Sequence, residues 1–286
     1  MADSAVKRVA ILSPGLIGGS IGLGLAARTP GLRLTCWARR AESSAAAVAL
    51  GAAHQVASTP EQAVQGADAV YVCCPVGAVG DLLDRIAPHV GPECVVLDVA
   101  GVKAPVPDWS RRLVQGAFVG SHPMAGSERS GIEFARADLY QGATWVFTPL
   151  EGDAPWAVSR AVGLAEALGA RPLICTVEEH DRWAAALSHL PHLLAYALAQ
   201  VAQDRVPSAG AHMAGGSYRD GSRVAASSPA AWTEILMANR REAADACTAA
   251  SVWLAEAAAA LTQGDGAALA ALLDAAHTGR LEVGPC

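Results

Sequence analysis

The sequence predicts a doubly wound α/β domain over residues 1–176, followed by an all-helical domain over residues 177–286. Three observations carry this. Short apolar runs alternate with helix-like stretches through the first half, the pattern of a parallel sheet with covering helices. A glycine-rich turn directly follows the first run, where such sheets meet nucleotides. Beyond residue 176 the alternation stops, and apolar residues recur at three- and four-residue steps.

The elements follow in order. Residues 9–12 form a short β-type run, the turn comes next, and residues 16–28 read as a helix. A second strand at 32–37 leads to a helix at 43–50. Thr59-Pro60-Glu61-Gln62 is a helix start: Thr caps, Pro occupies the first helical position, and Gln62 is spaced to reach back. Residues 69–74 and 94–98 are nearly continuous apolar runs, as strands buried on both faces require. Further strands are expected at 118–121, 144–148 and 172–175, with a helix at 156–168.

Thr176-Val177-Glu178-Glu179 then forms a capping box. After it Trp183, Leu187, Leu190, Leu194, Leu198 and Val201 mark one long amphipathic helix. Ser188, His192 and Tyr196 make a second, polar stripe on it. A Gly- and Ser-rich loop is expected over 208–228, a helix from Ser228-Pro229, and further helices to about residue 277. The apolar area exceeds what a thin helical layer needs, so a homodimer through these helices is expected.

The chain of 286 residues is long enough for two domains with real cores. With 52% apolar and 17% charged residues it is not a disordered sequence. Its net charge of −6 offers no basic field for nucleic acid or an anionic membrane, so neither is an expected partner. The opening MADSAVKR has no long apolar segment or cleavage site of a secretory leader. No apolar run reaches the roughly 18–20 residues that a bilayer requires. The seven cysteines show no CxxC spacing, which suits reduced thiols and a cytoplasmic location.

The turn reads Ser13-Pro14-Gly15-Leu16-Ile17-Gly18, a GxGxxG pattern of the Rossmann type with Ser13 in place of the first glycine. Gly15 lets the backbone approach a pyrophosphate, and Gly18 lets helix pack on strand. The phosphates would rest at the helix N-terminus, so Gly15, Leu16, Ile17 and Gly18 are candidate cofactor residues. After the second strand stand Arg39 and Arg40, with no carboxylate before Glu42. Guanidinium groups there suit a 2′-phosphate, which favours NADP over NAD.

Three segments carry dense polar chemistry: Gly120-Ser121-His122-Pro123-Met124-Ala125-Gly126-Ser127-Glu128; His180-Asp181 with Ser188-His189-Leu190-Pro191-His192; and Tyr218-Arg219-Asp220-Gly221-Ser222-Arg223 with Trp232. Together with the glycine turn they make the chain resemble the prephenate/arogenate dehydrogenase family over about residues 8–260. The resemblance implies NAD(P)-dependent oxidative decarboxylation of a cyclohexadienol small molecule in tyrosine biosynthesis. By motif position it implies His122 as the base, which a neutral imidazole can be. It implies Arg223 at the substrate's side-chain carboxylate, with Asp220 orienting that region. Ser127, Glu128, Ser188 and His192 are implied beside the substrate, Pro75 beside the cofactor, and Trp232 resembles a pocket residue. His189 reads as a packing residue. With His192 it lacks a third ligand, so no metal is expected.

Two positions depart from the family pattern. Gly101, in Asp98-Val99-Ala100-Gly101-Val102-Lys103, stands where the family commonly has a serine bonded to the catalytic histidine, and Ser13 alters the turn. Gly101 makes room and removes a hydroxyl, which raises the alternative of an amino-bearing substrate, 4-amino-4-deoxyprephenate. A catalytically silent nucleotide-binding module is the alternative from outside the enzymes.

Overall fold

The computed structural model describes residues 6–283, so most of the opening segment and Cys286 lie outside the described residues. The first half alternates β1 (Arg8–Leu12), α1 (Leu16–Arg28), β2 (Arg33–Trp37), α2 (Ala41–Ala49), β3 (Gln55–Val56), α3 (Pro60–Val64), β4 (Ala69–Val72) and α4 (Val76–Ile86). It continues with β5 (Val95–Asp98), α5 (Val106–Arg112), β6 (Ala117–Pro123), β7 (Thr144–Thr148), α6 (Pro155–Ala167) and β8 (Arg171–Ile174). The eight strands form one sheet in the order β3-β2-β1-β4-β5-β6-β7-β8. Every pairing is parallel except β6 with β7, so the sheet is mixed and not wholly parallel as expected.

Alternate residues of each central strand enter different cores. Val9 and Ile11 of β1, Tyr71 of β4 and Leu97 of β5 pack with Ile21 and Leu25 of α1 and Ala161 and Leu164 of α6. Ala10, Leu12, Val70, Val72 and Val96 face the other way, onto α3, α4 and α5. This two-sided burial is why these strands read as continuous apolar runs. Burial of each such side chain contributes about 1.5–3 kcal/mol, so the sheet is a stiff platform for what its strand ends carry. Thr59 Oγ accepts the Gln62 N–H, but Gln62 gives no bond back to the cap.

The second half holds α7 (Val177–Ala184), α8 (Leu190–Arg205), α9 (Gly216–Ser222), α10 (Pro229–Ala238), α11 (Arg240–Gln263) and α12 (Gly266–Val283). Both bonds of the Thr176–Glu179 capping box are present at α7. The single long helix expected here is interrupted by a π-helical turn at Ala185–His189. Pro191 gives the reason: it has no N–H for the Leu187 carbonyl, and its ring presses on that carbonyl, so the turn widens. The expected loop over 208–228 is instead three short helical pieces, Ser208–Met213, α9 and Arg223–Ala226. Ser222 Oγ donates to the Tyr218 carbonyl at 2.6 Å, and Gly221 lies against Leu198 of α8, so local bonding and packing outweigh the loop-like composition.

The apolar stripe of that helix does not form an internal core within one chain. Trp183, Leu187, Leu194, Leu198 and Val201 are exposed, as are Val252, Leu254 and Leu261 of α11 and Leu273 and Leu281 of α12. No described helix is long and apolar enough to cross a membrane.

Candidate active site

Two regions meet where the strand ends face the helical half. The first is a cavity of about 970 Å³ at the C-terminal ends of β1, β2 and β4. Of the expected cofactor residues, Gly15, Arg39, Arg40 and Pro75 line it, together with Ser13. Leu16, Ile17 and Gly18 do not. The Ile17 carbonyl accepts from Tyr140 Oη at 2.7 Å, and a Cβ at Gly18 would lie 3.1 Å from Cys73 and Ile11, so Gly18 is the close-packing glycine of helix on strand.

The cavity fits a dinucleotide. Space is open where a Cβ at Gly15 would stand, so a phosphate can approach this backbone. The N-terminus of α1 has no side-chain cap, which leaves its N–H groups for an anion. Arg39 and Arg40 are exposed on the rim, and neither forms an ion pair among the described residues. The helical half also reaches this cavity: Glu234 of α10 accepts the Gly77 N–H at 3.2 Å at the start of α4.

The second region is built around His122, at the end of β6. Its backbone is fixed one residue earlier. Ser121 N–H donates to Asp98 Oδ1 at 2.9 Å, and Asp98 Oδ2 accepts from Ala100 N–H and forms a fully buried ion pair with Lys103. This ties the end of β6 to the segment that follows β5. His122 Nδ1 stands 2.9 Å from His180 Nε2, and His180 Nδ1 stands 2.7 Å from Asp181 Oδ1. The other face of the ring looks toward Gly101, where a Cβ would lie 3.8 Å from His122 Nε2. Burial, reinforced by His180, Lys103 and His189, holds the His122 imidazole well below its ordinary value of 6.5. It is therefore neutral at physiological pH and able to accept a proton.

His189, on the π turn, is buried as expected of a packing residue. Its Nε2 lies 3.3 Å from the Gly101 carbonyl, and its Nδ1 lies 3.2 Å from Asn239 Nδ2. His192 stacks on Trp232 with 3.5 Å between ring centroids, its Nδ1 lying 2.9 Å from the Ser188 carbonyl. Burial lowers its pKa, and the nearby Arg223 charge lowers it further, which brings Arg223 into the same region. Arg223 donates to Glu128 at 2.7 Å, and Ser127 Oγ accepts the Arg129 N–H at 3.0 Å. Asp220 is exposed on α9 and makes no ion pair with Arg223.

The structure thus brings His122, Gly101, Ser188, His192, Trp232, Glu128 and Arg223 into one neighbourhood. Sequence reasoning singled out His180 and Asp181 only as polar neighbours and missed Asn239. Adjacent His and Asp, about two turns before the polar stripe, were the available signal for the first two; a lone Asn between helices gave none.

Sheet order, glycine turn and cavity define a dinucleotide-binding α/β protein with an added helical half. Residues 21–174 match the family model "Prephenate dehydrogenase, nucleotide-binding domain", and residues 176–275 match "Prephenate dehydrogenase, dimerization domain". The chain belongs to the prephenate dehydrogenase family. It is 33% identical over 238 residues to the prephenate dehydrogenase of Bacillus subtilis, a match covering 81% of this chain and 64% of that one. It is 31% identical to the cyclohexadienyl dehydrogenase of Zymomonas mobilis, covering 82% of this chain and 81% of that one. The crystal structure of Synechocystis arogenate dehydrogenase superposes with a TM-score of 0.80 at 26% identity, over 96% of this chain and 99% of that one. That of Aquifex aeolicus prephenate dehydrogenase, in complex with hydroxyphenyl propionate and NAD+, gives 0.90 at 24% identity over 98% and 99%, and so shares the fold. Among the described residues no group of three or more His, Cys, Asp or Glu is placed to hold a metal ion, and the six described cysteines are free.

Proposed function

We propose that this protein oxidatively decarboxylates prephenate or arogenate, with His122 as the base. The observation that carries this is the His122 ring itself: neutral, engaged on Nδ1 by His180, and open on Nε2 toward Gly101. Relatives named prephenate, cyclohexadienyl and arogenate dehydrogenase support the substrate class. Gly15, Arg39, Arg40 and Pro75 would hold a nicotinamide dinucleotide, which when bound supplies the hydride acceptor.

The substrate's ring C–H bond breaks with its electron pair leaving as hydride. The hydroxyl proton passes to His122 Nε2, and the bond to the ring carboxylate breaks as carbon dioxide departs, its electrons completing the aromatic ring. Arg223 would hold the side-chain carboxylate, exchanging part of its bond to Glu128 for it. Ser127, Ser188 and His192 would line the same side, with Trp232 as an apolar wall for the ring. Two free arginines at the cavity rim favour NADP over NAD. The matched dimerisation model and the exposed apolar faces of α8, α11 and α12 support a homodimer, to be read as a doubled mass in sedimentation.

A second reading is favoured by Gly101. With no side chain there, the space beside His122 Nε2 suits a ring bearing an amino group in place of the hydroxyl. The test is reduction of NAD+ and NADP+ by purified protein offered prephenate, arogenate and 4-amino-4-deoxyprephenate in parallel. Turnover of either of the first two, faster with NADP+, is expected. Activity on the amino compound alone would replace the leading reading with the second.

A further inference from the structure

Which ring nitrogen of His122 carries its proton is decided by two buried residues, His180 and Asp181. Asp181 is 4% exposed, and both its oxygens already accept backbone N–H groups: Oδ1 from Lys103 and Oδ2 from Ala104, each at 2.7 Å. A carboxylate in this cradle offers His180 Nδ1 only acceptor capacity, so that nitrogen is a donor at 2.7 Å. With the ring proton on Nδ1, His180 Nε2 is the acceptor nitrogen of the ring. The 2.9 Å contact between His180 Nε2 and His122 Nδ1 therefore takes its proton from His122.

We infer that His180 and Asp181 are positioning residues that lock His122 in its Nδ1–H tautomer, so that the Nε2 lone pair alone faces the substrate hydroxyl. This rests on the reading of His122 as the base and supplies its missing orientation.

The same Asp181 also fixes what lies opposite that lone pair. Its carbonyl accepts from Asn239 Nδ2 at 2.8 Å, and this amide also donates to His189 Nδ1 at 3.2 Å. His189 is thereby left with its proton on Nε2, which it gives to the Gly101 carbonyl at 3.3 Å. Ring and facing backbone are thus tied to one buried residue, the ring through the Asp181 carboxylate and the backbone through the Asp181 carbonyl.

When His122 Nε2 gains the hydroxyl proton, no other proton needs to move. The Nδ1–H bond to His180 persists, and the new positive charge is met through His180 by Asp181. Each hydrogen bond in the line strengthens as charge develops, which favours the transition state over the ground state. Asp181 itself is a poor site for substitution, because its bonds to Lys103 and Ala104 hold the backbone. His180 is the residue to change.

The experiment is a nitrogen NMR spectrum of protein carrying 15N-labelled histidine, with His122 assigned by His122→Asn, together with steady-state kinetics on prephenate. Wild-type protein is expected to show His122 protonated on Nδ1. His180→Leu removes the acceptor and should move that proton to Nε2, lowering kcat at least about 100-fold while the dinucleotide KM stays within about twofold. His180→Gln places an amide oxygen near the lost Nε2, and should restore the Nδ1–H tautomer and recover most of the kcat. Should His180→Leu fail to fold, the wild-type and His180→Gln spectra decide. A wild-type His122 protonated on Nε2, or equal losses in Leu and Gln variants without a tautomer change, would overturn the relay. Full activity in His122→Asn would instead remove the base reading and leave the tautomer assignment standing.

Discussion

Ser13 has a φ of +65°, the only non-glycine with positive φ among the described residues. It occupies the first glycine position of the nucleotide turn, and its N–H still donates to the Trp37 carbonyl at 2.7 Å. The residue has changed while the backbone conformation remains the one that favours glycine. Ser13→Gly should therefore raise the urea midpoint, corresponding to about 1 kcal/mol or less, because relief of the left-handed strain is partly offset by unfolded-chain entropy. A lowered midpoint would show that the serine is preferred there. Gly101 is a different kind of departure. Its conformation is ordinary, but its missing side chain changes what faces His122. Both departures were visible in the sequence; only geometry separates a strained backbone from a vacated contact. Arg223 is half exposed and held by Glu128, so its removal should leave the fold intact. Arg223→Ala is expected to raise the substrate KM at least about tenfold, as loss of a charge-assisted bond does, with the dinucleotide KM little changed. Equal rises in both would place its role elsewhere.

Strands and helices of the first half were legible because two-sided burial writes itself as unbroken apolar runs, as in β1, β4 and β5. The short β3 and the helices α4 and α5 were not singled out: a two-residue strand leaves no period to read. The π turn escaped for another reason. Periodicity alone carries Trp183 through Val201 as one helix, whereas the steric demand of Pro191 acts locally on a single carbonyl. That widened turn places His189 inward, against Gly101 and Asn239. The elements around the site also set its response to acid. His122, His189 and His192 are all held below 6.5, in each case chiefly by burial. The unfolded chain takes up protons at these positions below about pH 6.5 while the folded chain does not, so stability falls as pH drops from about 6.5 toward the folded values. Urea midpoints should be lower at pH of about 5.5 than at about 7.5. A midpoint that rises on acidification would mean that these rings are charged in the fold.

At the scale of the whole molecule, the site exists because two differently built halves close on each other. The sheet supplies the cavity, Asp98 and His122; the helical half supplies His180, Asp181, His192, Trp232 and Arg223. The joins are specific: Asp181 to the Lys103 and Ala104 backbone, Arg223 to Glu128, and Glu234 to Gly77. Residue types in three separated segments announced most of this assembly, but their mutual orientation depends on contacts across about 60 to 160 residues of chain that no local pattern encodes. The exposed stripe from Leu187 to Val201 makes the same point, since its spacing reads identically whether it faces a core or a second copy. The central claim is that His122 is the base of an oxidative decarboxylation. Its most direct test is the rate of nicotinamide reduction by His122→Asn with prephenate, measured beside dinucleotide binding. A fall in kcat of at least about 100-fold with binding intact is the expected result, and a variant that turns over at the wild-type rate would contradict the account.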